Sequence, residues 1–320
     1  MKRRLKFLVA AITAVLPFSA FAQDGAGSVR LGVEIPASIV NVPMFMTIDR
    51  LKEKGVEVSI VEFQSPETMT LALRNGEVDF IGTSAGTTFS AIDAGLEGKA
   101  FLGMAMSDFL MVAKKDLTTC QSLDGKNVGV QSREGTTGVL TIRWLEAECP
   151  DARPNVLIVP GSENRVAGLI AGQLDASPID SQNTAQLMAL KPGEFTTIES
   201  FSKAGVLASL YFASNRWLEE QAPTVKVLVE EYNAVVNDIT KDRSEFARRT
   251  KELLPDTDPE IVQAVVDGYV DRKVLVPVSG VQPDVIEDAL EFYGSARPYA
   301  KIKTAEDVAT TEFVTGREGQ

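Results

Sequence analysis

SPETMTLALRNGEVDFIGTS (65–84) returns 96 positions later as GSENRVAGLIAGQLDASPID (161–180). In this register Glu67 meets Glu163, Leu73 meets Leu169, Gly76 meets Gly172 and Asp79 meets Asp175. Upstream, LGVEI (31–35) aligns with NVGVQ (127–131). Two copies of one pattern with matching flanks predict two similar α/β lobes. Lobes set side by side leave a cleft, the usual seat of a small molecule.

Around this repeat, apolar runs of strand length alternate with helical patterns from residue 29 to about 200, the pattern of βαβ units and mostly parallel sheets. LGVEI leads into a helix over 43–53, then a strand over 56–63. Ser65-Pro66-Glu67 is a helix start: Ser65 caps, Pro66 takes the first turn and Glu67 suits the positive end of the dipole. Asn75-Gly76 closes that helix, VDFIGTS (78–84) is a strand, and a helix is expected over 87–94. FLGMAMSDFLMVAKK (101–115), two apolar stretches divided by Ser107-Asp108, reads as the crossing into the second lobe. There the pattern runs again, with strands at 127–131, 155–161 and 174–180 and helices over 137–148, 162–171 and 182–190. GVLASLYFAS (205–214) reads as the return crossing, and from Arg216 onward the chain is helical. Val225, Leu228, Val229, Tyr232, Val236 and Ile239 form one stripe at helical spacing, which predicts packing onto the first lobe rather than a partner-binding face.

The first 22 residues stand apart. Lys2, Arg3, Arg4 and Lys6 precede the apolar run 7–16, and Ala20-Phe21-Ala22 forms an A-x-A cleavage site, the pattern of a secretory signal peptide. No cysteine stands at that site, so a lipid anchor there is not expected. The apolar run is shorter than the roughly 20 residues of a membrane span. Cleavage removes four positive charges and no negative ones, taking the net charge from −12 to −16. So acidic a chain lacks the basic footprint that nucleic acid requires, and its charge favours a soluble monomer. Cys120 and Cys149, an even pair in an exported chain, are expected to form a structural disulfide. The chain-entropy worth of such a loop is roughly 3.5 kcal/mol.

The sequence contains no histidine. That excludes a Ser-His-Asp or Cys-His nucleophile and every histidine-based zinc site, and it removes the commonest general base. No calcium loop or P-loop pattern occurs either, so neither metal nor cofactor is expected and catalysis is disfavoured.

Five segments carry a resemblance: ALRNGEVDF (72–80), LDGKNVGV (123–130), GSENR (161–165), AGQLDA (171–176) and Asn215-Arg216-Trp217-Leu218. In their order and spacing the chain resembles the substrate-binding proteins of ABC importers of the nitrate/sulfonate/taurine type, which include binders of thiamine pyrimidines. The resemblance implies a type II periplasmic binding fold of two α/β lobes joined by two crossings, with C-terminal helices packed on the first lobe. It implies a first lobe of residues 23–107 and 212–320, a second of 108–211, and a hinged trap that hands its ligand to the importer's membrane subunits. Three other roles are weighed against it. A binding subunit of a tripartite secondary transporter and a sensing partner of a membrane receptor would look alike in sequence. An enzyme of the thiamine-pyrimidine synthase type draws on histidine and a cysteine-rich motif, both absent here.

Ligands in open α/β sheets sit beyond the carboxyl ends of the strands. Those ends are Glu34–Ser38, Ser84-Ala85-Gly86-Thr87-Thr88, Ser132-Arg133-Glu134-Gly135-Thr136-Thr137-Gly138 and Asp180-Ser181-Gln182-Asn183. The candidate contacts are Ser38, Ser84, Ala85, Gly86, Thr87, Ser132, Arg133, Gly135, Thr136, Thr137, Asp180 and Ser181. Helix starts rich in hydroxyls attract anions, and Arg133 adds a positive charge, which favours a small organic anion such as a sulfonate or carboxylate. Asp180 and Glu34 favour instead an amine or aminopyrimidine. Helix capping is the competing use of each hydroxyl. Asn164 and Arg165 are assigned to the first turn of a helix, and Met104, Met106, Phe109 and Tyr211 to apolar walls or core.

Overall fold

A computed structural model describes residues 29–276 and 278–314; the expected signal peptide lies outside them. Among the described residues ten strands form two five-stranded sheets. The first contains β1 (Val29–Glu34), β2 (Val58–Phe63), β3 (Phe80–Ser84), β4 (Lys99–Met106) and β10 (Leu207–Ala213) in the order β2-β1-β3-β10-β4. The second contains β5 (Phe109–Lys114), β6 (Asn127–Val130), β7 (Asn155–Ile158), β8 (Ala176–Asp180) and β9 (Phe195–Ser200) in the order β7-β6-β8-β5-β9. The two orders are equivalent strand for strand. In each, three parallel strands are followed by an antiparallel one from across the crossing, which is the repeat expressed as topology.

The repeated residues perform repeated tasks. Helix α2 (Pro66–Arg74) and helix α5 (Ser162–Ile170) each close on a glycine with positive φ, +72° at Gly76 and +73° at Gly172, a conformation that costs other residues a Cβ clash. Leu73 and Leu169 are buried beneath them. Asp79 then accepts from the Arg30 backbone N–H (2.7 Å) and guanidinium, and Asp175 from the Asn127 N–H (2.9 Å) and the Lys114 ammonium (2.7 Å). Each carboxylate thus ties the start of one strand to its parallel neighbour. Arg30 and Asn127 play the same part, a pairing one residue away from the alignment of LGVEI with NVGVQ, which sets Leu31 against Asn127.

The remaining helices follow the expected plan: α1 (Val42–Glu53), α3 (Ala85–Asp93), α4 (Thr136–Glu148) and α6 (Ser181–Leu190), then α7 (Asn215–Glu220), α8 (Ala222–Lys241), α9 (Ser244–Leu253), α10 (Pro259–Asp271) and α11 (Pro283–Gly294). The apolar stripe of α8 is buried in one cluster with Leu31, Phe80 and Leu51 of the first lobe, as its spacing requires. Each such side chain withdrawn from water contributes roughly 1.5–3 kcal/mol. Cys120, in a short 3-10 turn, is bonded to Cys149 at the end of α4, with Cα atoms 5.9 Å apart. Among the described residues no helix is long and apolar enough to cross a membrane.

Two details differ from the sequence reading. The chain changes sheets at Ser107-Asp108 and again at 201–206, ahead of β10, not within 205–214. β10 is an interior strand, hydrogen-bonded to β3 on one side and β4 on the other, so its apolar run is explained by burial in a sheet. β9, just after the Pro192-Gly193 break, was not anticipated; its mixed sequence FTTIES carries little apolar signal, and pairing with β5 holds it in place.

Candidate functional site

The carboxyl ends of β1, β3, β6 and β8 converge on a cavity of about 230 Å³ between the sheets. The first lobe lines it with Glu34, Ser38, Val40, Thr83, Ser84, Met104, Met106, Ser209 and, from its C-terminal helices, Tyr269. The second lobe contributes Phe109, Gln131, Thr136, Thr137, Ser162, Glu163, Arg165 and Asp180, and Asp108 lies on the crossing between them.

Hydrogen bonds run from lobe to lobe around this cavity. The buried Ile39 N–H donates to Gln182 Oε1 at 2.8 Å. Thr136 Oγ1, at the start of α4, lies 2.9 Å from Tyr293 Oη of α11 and 3.2 Å from the Ala208 carbonyl. Tyr293 in turn donates to the Leu207 carbonyl at 2.9 Å, so a single run of donors from Thr136 to Tyr293 to Leu207 uses one proton per hydroxyl. Gln186 of α6 donates to Thr257 at 2.7 Å, and Arg143 of α4 lies over the Phe292 ring of α11. Asp108 joins all three parts: it accepts from Arg272 at the end of α10 (2.8 Å) and from the Ser181 hydroxyl at the start of α6. This is a closed arrangement, with the lobes in direct contact on both sides of the cavity.

Among the candidate contacts, Ser38, Ser84, Thr136, Thr137 and Asp180 line the cavity. Ala85, Gly86, Thr87, Ser132, Arg133, Gly135 and Ser181 do not. Local chemistry accounts for most of these placements. Ser132 accepts from the Gly135 N–H at 3.0 Å, and Thr137, though at the cavity wall, accepts from the Gln131 N–H at 2.9 Å. Asp180 caps α6 by accepting from the Asn183 N–H at 2.9 Å. Gly86 is small because the lobes meet there: a Cβ would stand 2.6 Å from the Glu134 carbonyl and from the Tyr293 ring. Arg133 is exposed. Tyr211 is buried in the first-lobe core, whereas Met104, Met106 and Phe109 do form cavity wall.

Arg165, assigned from sequence to a helix turn, is the most deeply buried charged side chain of the site among the described residues, 1% exposed. Its guanidinium donates to the carbonyls of Pro178 (3.2 Å) and Val159 (3.1 Å), to Gln131 Oε1 (3.1 Å) and to Ser162 Oγ (2.8 Å). Burial lowers its pKa to about 10. Against it stand carboxylates. Burial, with the charges of Glu163 and Glu67 nearby, pushes Glu34 up to about 7. Glu163 is raised by burial and by Asp180, and Asp108 by burial despite its bonds to Ser181 and Arg272. Glu163 and Gln131 were missed as site residues. The signal lay in the repeat: GSENR is the second copy of the Ser65-Pro66-Glu67 helix start, whose Pro66 also lines the cavity. Among the described residues no group of histidine, cysteine, aspartate or glutamate side chains could hold a metal ion.

Two equivalent α/β lobes, two crossings and a ligand-sized cavity closed between them define the periplasmic-binding-protein fold. The profile of the NMT1/THI5 like family matches residues 51–244, and the chain belongs to that family. Solved structures agree on the fold. The alkanesulfonate-binding protein SsuA from Xanthomonas axonopodis pv. citri, bound to MOPS, is 19% identical, with a TM-score of 0.69 over 88% of this chain and 97% of its own. The ligand-binding component of an ABC-type import system from Staphylococcus aureus is 12% identical, with a TM-score of 0.74 over 89% and 97%. The periplasmic nitrate-binding protein NrtA from Synechocystis PCC 6803 is 12% identical, with a TM-score of 0.72 over 90% and 87%. All three are ligand-binding proteins, the second a component of an import system. No curated protein sequence matches the chain.

Proposed function

We propose that this chain is an extracytoplasmic solute-binding protein that encloses one small organic molecule between its lobes and delivers it to the membrane subunits of an ABC importer. The observation that carries this reading is the cavity at the strand ends, walled by both lobes and ringed by hydrogen bonds between them. A cavity of about 230 Å³ suits a small metabolite. The family and the named structural relatives support the same role. Release of the ligand chemically unchanged is part of the same proposal. Export by the N-terminal signal peptide, release without a lipid anchor and action as a monomer in the periplasm belong to the same proposal, as does a division into lobes near 107 and 206. Ser38, Ser84, Thr136, Thr137 and Asp180, joined by Thr83, Glu34 and Glu163, are the proposed ligand contacts.

Native mass spectrometry tests the reading on protein purified without unfolding from the cells that naturally make it. A small-molecule adduct is expected, lost after unfolding and refolding, together with a melting temperature several degrees lower in the refolded sample. A bound ligand at a thousand times its dissociation constant adds about 4 kcal/mol. Identical masses and melting temperatures before and after refolding would contradict the proposal.

A further inference from the structure

An anion bound in this cavity would need a free positive charge or unspent donors, and the charged groups offer little of either. Arg165 is the cationic side chain that lines the wall, and four of its N–H contacts already go to protein acceptors. Arg272 is engaged with Asp108, and Arg133 is exposed away from the wall. The wall also carries Glu34, Glu163 and Asp180, none of them in a salt bridge among the described residues. Two of these, Glu34 from the first lobe and Glu163 from the second, repel each other across the closed cleft. Like charges brought together in a low-dielectric space oppose closure unless something neutralises them.

An independent feature marks the same wall as built for a ligand. Thr83, at the end of β3, is 9% exposed and lines the cavity, yet its hydroxyl makes no hydrogen bond among the described residues. The hydroxyl opens onto the cavity, so a ligand group beside it would complete its hydrogen bonding. The rest of the wall, Val40, Met104, Met106 and Phe109, is apolar and accepts a hydrocarbon body.

Resting on the solute-binding reading, we infer that the ligand is a small organic cation whose ammonium, amidinium or guanidinium group meets Glu34 and Glu163, with its apolar body against the methionine and phenylalanine wall. The ligand's charge then acts as the cement of closure: it replaces repulsion between the lobes with attraction to both. The groups facing Glu34 are Glu67 from α2, Gln131 from the loop after β6, and Glu163 and Arg165 from α5. Since Glu34 takes up a proton near neutrality, cation affinity should rise from pH 6 to pH 8.

The test uses the mature chain, refolded to free it of ligand, and charge-paired probes of matched shape: benzamidine with benzoate, phenethylamine with 3-phenylpropionate, and butylamine with butanesulfonate. Melting temperature and calorimetric affinity are read at pH 8. At least one cation is expected to raise the melting temperature by several degrees, with affinity falling tenfold or more in both Glu34→Gln and Glu163→Gln. If Glu34→Gln fails to fold, Glu163→Gln and the pH dependence carry the test. Binding confined to the anions, cation binding unmoved by the substitutions, or no response to any cation at 10 mM would overturn the assignment. Binding confined to the anions would overturn the ligand's charge and leave the solute-binding reading intact, which the absence of any co-purified small-molecule adduct would remove instead.

Discussion

Glu34 ends β1 at the cavity wall, half-buried and among other carboxylates, with a pKa raised from the ordinary glutamate range to about 7. A carboxyl whose pKa is raised by folding binds its proton more tightly in the native state. Stability of the closed form therefore falls as pH climbs from about 4.5 to about 7, and the full penalty holds above that window. Glu34→Gln should favour the closed form over the open one at pH 8, by up to about 3 kcal/mol, and change that balance little at pH 4.5. Small-angle scattering of the refolded, ligand-free variant and parent at the two pH values checks this; equal compactness of the two proteins at pH 8 would mean that Glu34 is not held in a disfavoured ionised state on closure. A glutamate at a strand end was legible in the sequence as a candidate contact. Its opposition to Glu163 was not, because the two residues lie 129 positions apart and meet only when the lobes close.

The start of α4 shows how one element serves two purposes. Gly135, Thr136 and Thr137 read in sequence as a hydroxyl-rich helix start suited to an anion. In the structure Thr137 serves the backbone of its own loop, while Thr136 reaches across to Tyr293 of α11 and the start of β10. Thr136→Val removes this crossing bond and leaves Tyr293 its bond to Leu207. Loss of one buried hydrogen bond costs about 1 kcal/mol. Lobe closure should weaken accordingly: the variant should retain roughly a fifth as much small molecule as the parent on dilution, read by native mass spectrometry. Equal retention would show that the bond does not hold the closed form. Strands, helices and the repeat were readable here because periodicity and capping are local. The function of each hydroxyl was not, because Ser and Thr at a helix start look the same whether they cap, clasp a neighbouring lobe or touch a ligand. β9 escaped for a related reason: Phe195–Ser200 becomes a strand through its pairing with β5, a partner some 85 residues earlier.

The chain as an assembly is one motif used twice, the two Asp–backbone ties at Asp79 and Asp175 fixing each copy and the crossings at 107–108 and 201–206 joining them. Such a design has its weakest seam between the copies, and there lie the cavity, the buried Arg165 and the Asp108 junction of Arg272 with Ser181. The central claim is that this seam opens to admit a ligand and closes around it. Double electron–electron resonance across the seam tests it most directly. Spin labels at Leu71→Cys on α2 and Ile170→Cys on α5 occupy exposed sites of opposite lobes, and the native cysteines, paired with each other, leave the labels the only reactive thiols among the described residues. The distance distribution is recorded on protein carrying its co-purified ligand and again after refolding without it. The account predicts a single short distance with ligand and a shift to distances longer by several ångströms without it. The same distribution in both samples would contradict it.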